Sequence, residues 1–256
     1  MRSFLAFLKK EWMELLRTGR LLIFVLIFVL FGIMNPAIAK ITPWLMETMA
    51  DSLESSGLSV SAVTVDAMTS WTQFYKNIPM ALVIFVLLWS GSFTQEYQKG
   101  TLIAVVTKGF ARWKIVLAKT CMMLLSWTIC YWLCFGITYS YNAYFWDNRI
   151  AQEPVFAAAC YWVFGLWIIG FVVLFSTLAS ANIAVLLGTG GAMLAFYLLG
   201  FLPGPREFLP TKLMQSAELL TAYAKPEQYF GAMAAAAGML VGCLAVAVLA
   251  FQKKKL

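Results

Sequence analysis

The sequence predicts an all-α integral membrane protein: six transmembrane helices in a single transmembrane domain, 1–256, preceded by an amphipathic helix at the membrane interface. Three observations carry that prediction. First, 62% of the residues are hydrophobic and only 12% are charged, where a soluble domain has about 45–50% and about 25%. Second, six apolar runs approach or exceed the roughly 20 residues needed to cross a bilayer. They are 21–39, 78–93, 121–145, 155–178, 183–202 and 229–251, and none contains a charged residue. Third, Lys and Arg are unevenly shared between the connecting segments. With the N-terminus cytoplasmic, the inner segments hold 13 of the 19 Lys and Arg and three acids, while the outer segments hold 6 and 9. Cytoplasmic segments carry the excess of Lys and Arg, so both termini are predicted to be cytoplasmic.

Residues 4–17, FLAFLKKEWMELLR, place Phe4, Leu5, Leu8, Trp12, Leu15 and Leu16 at helical spacing, with Lys9, Lys10, Glu14 and Arg17 filling much of the rest. Such a helix lies in the membrane interface. Lys10 and Glu14 are four apart and can pair, and the chain is expected to turn into the membrane at Gly19. The first span follows, and Asn35-Pro36 is expected to bend or end it. Ala37-Ile38-Ala39 mimics a signal-peptidase site, but the run before it is long enough to span and is read as retained. In the outer segment 40–77, PWLMETMADSLES predicts a separate short helix with Pro43 in its first turn.

The second span is short and can extend through Asn77 and Gln95. The third can tilt and is rich in hydroxyl and amide groups. Of these, Thr128, Tyr131, Thr138, Tyr139 and Asn142 are candidates either for a polar translocation path or for bonds to neighbouring helices. Gly188 and Ala192 in the fifth span, and Gly238 and Gly242 in the sixth, are spaced for close helix approach. The outer segment 203–228 carries Pro203, Pro205, Pro210 and Pro226; between them TKLMQSAELLTAYA predicts one short amphipathic helix, either a lid or re-entrant element or a solvated connector. The terminal KKKL reads as charge anchoring the last span.

Composition also excludes. The five cysteines all fall in apolar runs; they read as packing residues rather than disulfides or metal ligands. Histidine is absent, which removes Ser-His hydrolases, HExxH metalloproteases and His-ligated haem in their usual forms. All 31 charged residues are placed outside the spans. A charge at membrane depth costs at least about 2.5–3.5 kcal/mol and is kept where a coupling ion needs it, so its absence weighs against a secondary carrier and against an intramembrane enzyme. A phosphate loop ending at Lys119-Thr120 would need glycines at 113 and 118, and those positions are Trp113 and Ala118. No nucleotide-binding domain is expected, so ATP-driven work would need another chain.

The segment EYQKGTLIAVVTKGFARWKIVLAK, residues 96–119, resembles the cytoplasmic segment of ATP-binding-cassette (ABC) type-2 permeases. The matching positions are Glu96 after the second span, Gly100-Thr101-Leu102, the apolar stretch 103–106, Arg112, and Lys119 at the start of the third span. The turn is Lys108-Gly109, where the family often has proline. The resemblance implies a cytoplasmic coupling helix between spans 2 and 3 that docks in a groove on a separate ABC ATPase. The contact residues it implies are Glu96, Lys99, Gly100, Thr101, Leu102, Val105, Lys108 and Arg112. Gly100 would permit a tight turn into that helix and Gly109 would stop it. Glu96 could cap the helix or pair with Arg112 or a lysine.

The resemblance further implies a homo- or heterodimer of permease chains in a bacterial cell membrane, with ATP and Mg on the ATPase and no cofactor or metal on this chain. Its partners would be ATPase, second permease and lipid bilayer, with no nucleic acid. Its cargo would be hydrophobic or amphipathic, such as an antimicrobial peptide or drug, and exported. The alternative reading is a channel or secondary carrier working without ATP.

Overall fold

The computed structural model describes residues 2–54, 65–107, 109–202 and 204–254. Every regular element among them is helical: α1 (Arg2–Arg17), α2 (Arg20–Glu54), α3 (Ala67–Gln98), α4 (Thr101–Thr107), α5 (Arg112–Phe145), α6 (Pro154–Leu178), α7 (Asn182–Leu199) and α8 (Phe230–Lys253). Helices α2, α3, α5, α6, α7 and α8 contain the six described segments long and apolar enough to cross a membrane, and the protein is a multi-pass membrane protein. Helices α1 and α4 lie at one end of the bundle, where α3 closes and α5 begins. Short 3₁₀ segments gather at the other end: Asn148–Ile150, Pro205–Glu207, Pro210–Thr221 and Pro226–Tyr229.

Helix α6 is central, touching α3, α5, α7, α8 and the segment Pro210–Thr221. Its glycines set the distances. A Cβ on Gly165 would lie 2.3 Å from the Trp127 ring, and that indole donates its N–H to the Trp162 carbonyl at 3.1 Å. Gly170 lets Leu240 of α8 approach in the same way, 3.1 Å from where a Cβ would stand. The small-residue positions of α7 and α8 differ in their settings. Gly188 does meet α6, with Phe175 at 2.5 Å from its would-be Cβ, but Gly238 and Gly242 have nothing within 4 Å and face away from the chain's own helices.

The first span runs further than expected, and of the two outcomes expected at Asn35-Pro36, a bend or an end, the end does not occur. Neither Asn35-Pro36 nor Pro43 ends it, and among the described residues the outer stretch from Pro43 is part of α2, which runs unbroken for 35 residues. At about 1.5 Å per residue it is roughly 50 Å long, against about 30 Å of hydrocarbon, so it projects well beyond the bilayer. The reason it survives Pro36 is visible. Proline removes the N–H that would bond the carbonyl four residues back, and that carbonyl, Gly32 O, accepts instead from Thr138 Oγ of α5 at 3.1 Å. Asn35 donates to the same hydroxyl at 3.2 Å and accepts from Asn77 of α3 at 2.8 Å. A polar chain through three helices thus replaces the missing bond.

Within the outer segment, Pro210–Thr221 forms a 3₁₀ helix with one packed face rather than an α-helix. Pro210, Leu213, Ser216 and Leu219 are buried at every third position, the stripe that a three-residue turn presents on one face, and it packs against α6 and α8.

Candidate functional site

At the α1–α4 end the spanning helices continue past the apolar runs, so that α3 carries Glu96 and α5 begins with Arg112 and includes Lys119. Glu96 and Lys119 are buried, at 8% and 1% exposure. Both lie outside the apolar runs but on the same helices, because the helices extend beyond the segments read from hydropathy. A buried charge must be paired, and these are. Lys119 Nζ lies 2.9 Å from Glu11 and 3.2 Å from Glu96. Lys10 Nζ lies 2.8 Å from Glu96 and 2.9 Å from both Glu11 and Glu14. The carboxylates of Glu11, Glu14 and Glu96 are close enough to share a cation, and the cations they share are the two ammonium groups.

The cluster joins α1, α3 and α5, and Arg20 of α2 adds a bond to Gln95 Oε1 at 2.7 Å. Burial works against the charge of Lys10, but its bonds to Glu96 and Glu14 and the charge of Glu11 outweigh it and hold the lysine above its ordinary value. Burial would raise Glu14, but the bond from Lys10 and the charges of Lys10, Lys119 and Arg20 hold it below the usual carboxylate range.

Helix α4 hangs from this cluster. Gly100 and Gly109 take φ of +66° and +79°, the left-handed region glycine enters without a Cβ penalty, so the chain turns sharply on each side of seven helical residues. Thr101 Oγ donates weakly to the Glu96 carbonyl at 3.4 Å. Lys99, Thr101 and Thr107 are exposed, whereas Leu102 is buried at 1% in the chain's own core. Lys108 and the side chain of Val105 lie outside the described residues.

Arg112 does not reach Glu96. Its guanidinium donates to the carbonyls of Phe251, Gln252 and Lys254, at 3.3, 3.1 and 2.6 Å, which have no partner within α8. Lys254 in turn donates to Thr177 O and Ala179 O at the end of α6, at 3.0 and 2.8 Å. Burial lowers the pKa of that lysine.

Of the candidate path residues in α5, three serve helix contacts. Tyr131 donates to the Ala158 carbonyl at 2.8 Å, Thr138 to Gly32, and Thr128 accepts from Trp162 Nε1 at 3.1 Å. Asn142 is buried with neither amide atom bonded among the described residues, and Tyr139 is 40% exposed. A largely apolar cavity of about 400 Å³ lies elsewhere, among Val86, Leu87, Phe164, Ile168, Leu186 and Met193 of α3, α6 and α7. The hydroxyls of Tyr161 and Thr189, which also line it, are buried without a partner among the described residues.

Sequence reasoning missed Glu11 as a member of the cluster. One signal was present: Glu11 lies four residues from both Phe7 and Leu15, on the inward stripe of α1, and all three are buried.

Residues 5–256 match the family described as ABC-2 family transporter protein. An uncharacterized transmembrane protein of Bacillus subtilis (strain 168), YxlG, is 22% identical over 240 residues, covering 90% of each chain. No solved structure matches the chain significantly.

Proposed function

The chain belongs to the ABC-2 transporter family, and from that premise we propose that it is the membrane permease subunit of an ATP-driven exporter in a bacterial cell membrane. Separate ABC ATPase subunits would bind ATP and Mg, and a second permease chain would complete the pore. The α1–α4 end would face the cytoplasm and receive the ATPase.

One observation carries this reading: a short helix turned on two glycines is tied to a buried ion cluster shared by α1, α3 and α5. A push on α4 passes through Gly100 to Glu96, and Glu96 cannot move alone without leaving Lys10 and Lys119 short of a counter-charge. Separating a buried pair costs about 3–5 kcal/mol, so the three helices are expected to move as one body. The apolar cavity between α3, α6 and α7 supports a hydrophobic or amphipathic cargo.

The test is to co-express the chain with a candidate ATPase and to compare Lys99→Glu with wild type. Lys99 is exposed and makes no ion pair with this cluster among the described residues, so reversing its charge should weaken co-purification and ATP-dependent transport while the permease still folds. Unchanged assembly and transport would overturn the docking role. Leu102→Asp is a poorer probe, because Leu102 is buried in this chain. Transport in vesicles lacking any ATPase, driven by a gradient alone, would favour the channel or secondary-carrier alternative.

A further inference from the structure

At the end opposite α1 and α4, helix α7 stops at Leu199 and the chain turns through Gly200 towards Pro210–Thr221. A cavity of about 330 Å³ opens there, lined among others by Tyr197, Phe201, Arg206, Thr211, Lys212 and Gln215. Among the described residues no carboxylate lines it, and the ion pairs of the described residues all lie at the other end of the bundle. Lys212 is steadied over the Tyr229 ring, 5.5 Å from its centroid.

Two cations lining one cavity with no acid make a site for an anion. Arginine presents a planar fork that grips phosphate through two parallel bonds, and lysine adds a point charge. Thr211 and Gln215 contribute a hydroxyl and an amide. The surroundings are apolar and open: Leu194, Leu198, Phe201 and Leu202 are 59%, 56%, 71% and 54% exposed. A spanning helix ends here, at the level where the hydrocarbon gives way to lipid headgroups.

We propose that this cavity binds the phosphate group of an amphiphile, with Arg206 and Lys212 on the phosphate and the acyl chains along Leu194, Leu198, Phe201 and Leu202. The ligand is a phospholipid of the leaflet opposite the α1–α4 end.

The experiment titrates the full chain, purified in neutral maltoside detergent, with phosphatidylglycerol, with diacylglycerol and with inorganic phosphate. Diacylglycerol, which lacks the phosphate, should bind at least about tenfold more weakly, the scale of a charge-assisted hydrogen bond. The double variant Arg206→Gln with Lys212→Gln should lose at least about tenfold for phosphatidylglycerol. Lys225→Gln, an exposed cation outside the cavity, should lose nothing. Phe201→Ala should weaken the lipid but not inorganic phosphate. Equal binding of diacylglycerol and phosphatidylglycerol to the wild type overturns the proposal and needs no variant. So does an unchanged double variant, or inorganic phosphate competing at the same concentration as the lipid.

Discussion

Lys119 has no solvent to fall back on: at 1% exposure its ammonium depends on Glu11 and Glu96. Replacing it with Met leaves both Glu11 and Glu96 dependent on Lys10, which Glu14 also shares. Breaking such a buried pair costs about 3–5 kcal/mol, and Lys119→Met should lower the melting temperature in detergent accordingly. Adding Glu11→Gln should recover part of the loss, because it removes one orphaned charge. A second residue-scale prediction concerns Thr138. Thr138→Val leaves the Gly32 carbonyl unpaired and should cost about 1–3 kcal/mol. In a Pro36→Ala background the same change should cost less, since the restored N–H at 36 can bond that carbonyl. A double-mutant cycle on thermal stability would read the difference, and additivity would refute this account of the unbroken helix. Neither arrangement was legible in the sequence, because Lys119 and Glu11 are 108 positions apart and Thr138 and Gly32 are 106 apart.

The elements were read better than their partners. The sequence-based bounds of the six spans fall within or close to the observed helices, since transfer from water to hydrocarbon is a property of each short segment taken alone. What hydropathy missed was helix continuing beyond the apolar run, at both ends of α3, at the start of α5 and at the end of α2. The ends of α8 and α6 show a further device, in which a cation from elsewhere in the chain satisfies the last carbonyls and the negative end of the helix dipole. Arg112→Gln should therefore loosen the last turn of α8 by about 1 kcal/mol. Amide exchange at 249–252 should rise roughly fivefold, while ATPase association falls less than in Lys99→Glu. Equal loss of association in both would return Arg112 to the docking surface.

For the whole molecule, the joint of α1 with the bundle should depend on pH. Lys10 is held above its ordinary 10.5, so its contribution is complete below that value and is lost only as pH rises through the higher folded value. Glu14 is held below its ordinary 4.5, so its contribution is present above that value and fades as pH falls towards the lower folded one. The joint should be intact near neutrality and weaken below about pH 4.5. Scanning calorimetry should show the melting temperature dropping there, with a smaller drop in Glu14→Gln. The effect should be modest, because Glu14 is 41% exposed and water screens it. The sequence by itself determined the solvent this protein lives in, the number and rough position of its spans, and the glycine-bounded helix that connects the second and third. Those follow from composition, period and local turn chemistry, each a property of neighbouring residues. Only the tertiary structure decided that Leu102 faces inward, that Arg112 caps α8, that Thr138 mends the break at Pro36 and that Glu11 closes the ion cluster. The physical reason is that a buried polar group takes whichever partner is brought within about 3 Å, and the approach of distant helices settles which partner that is.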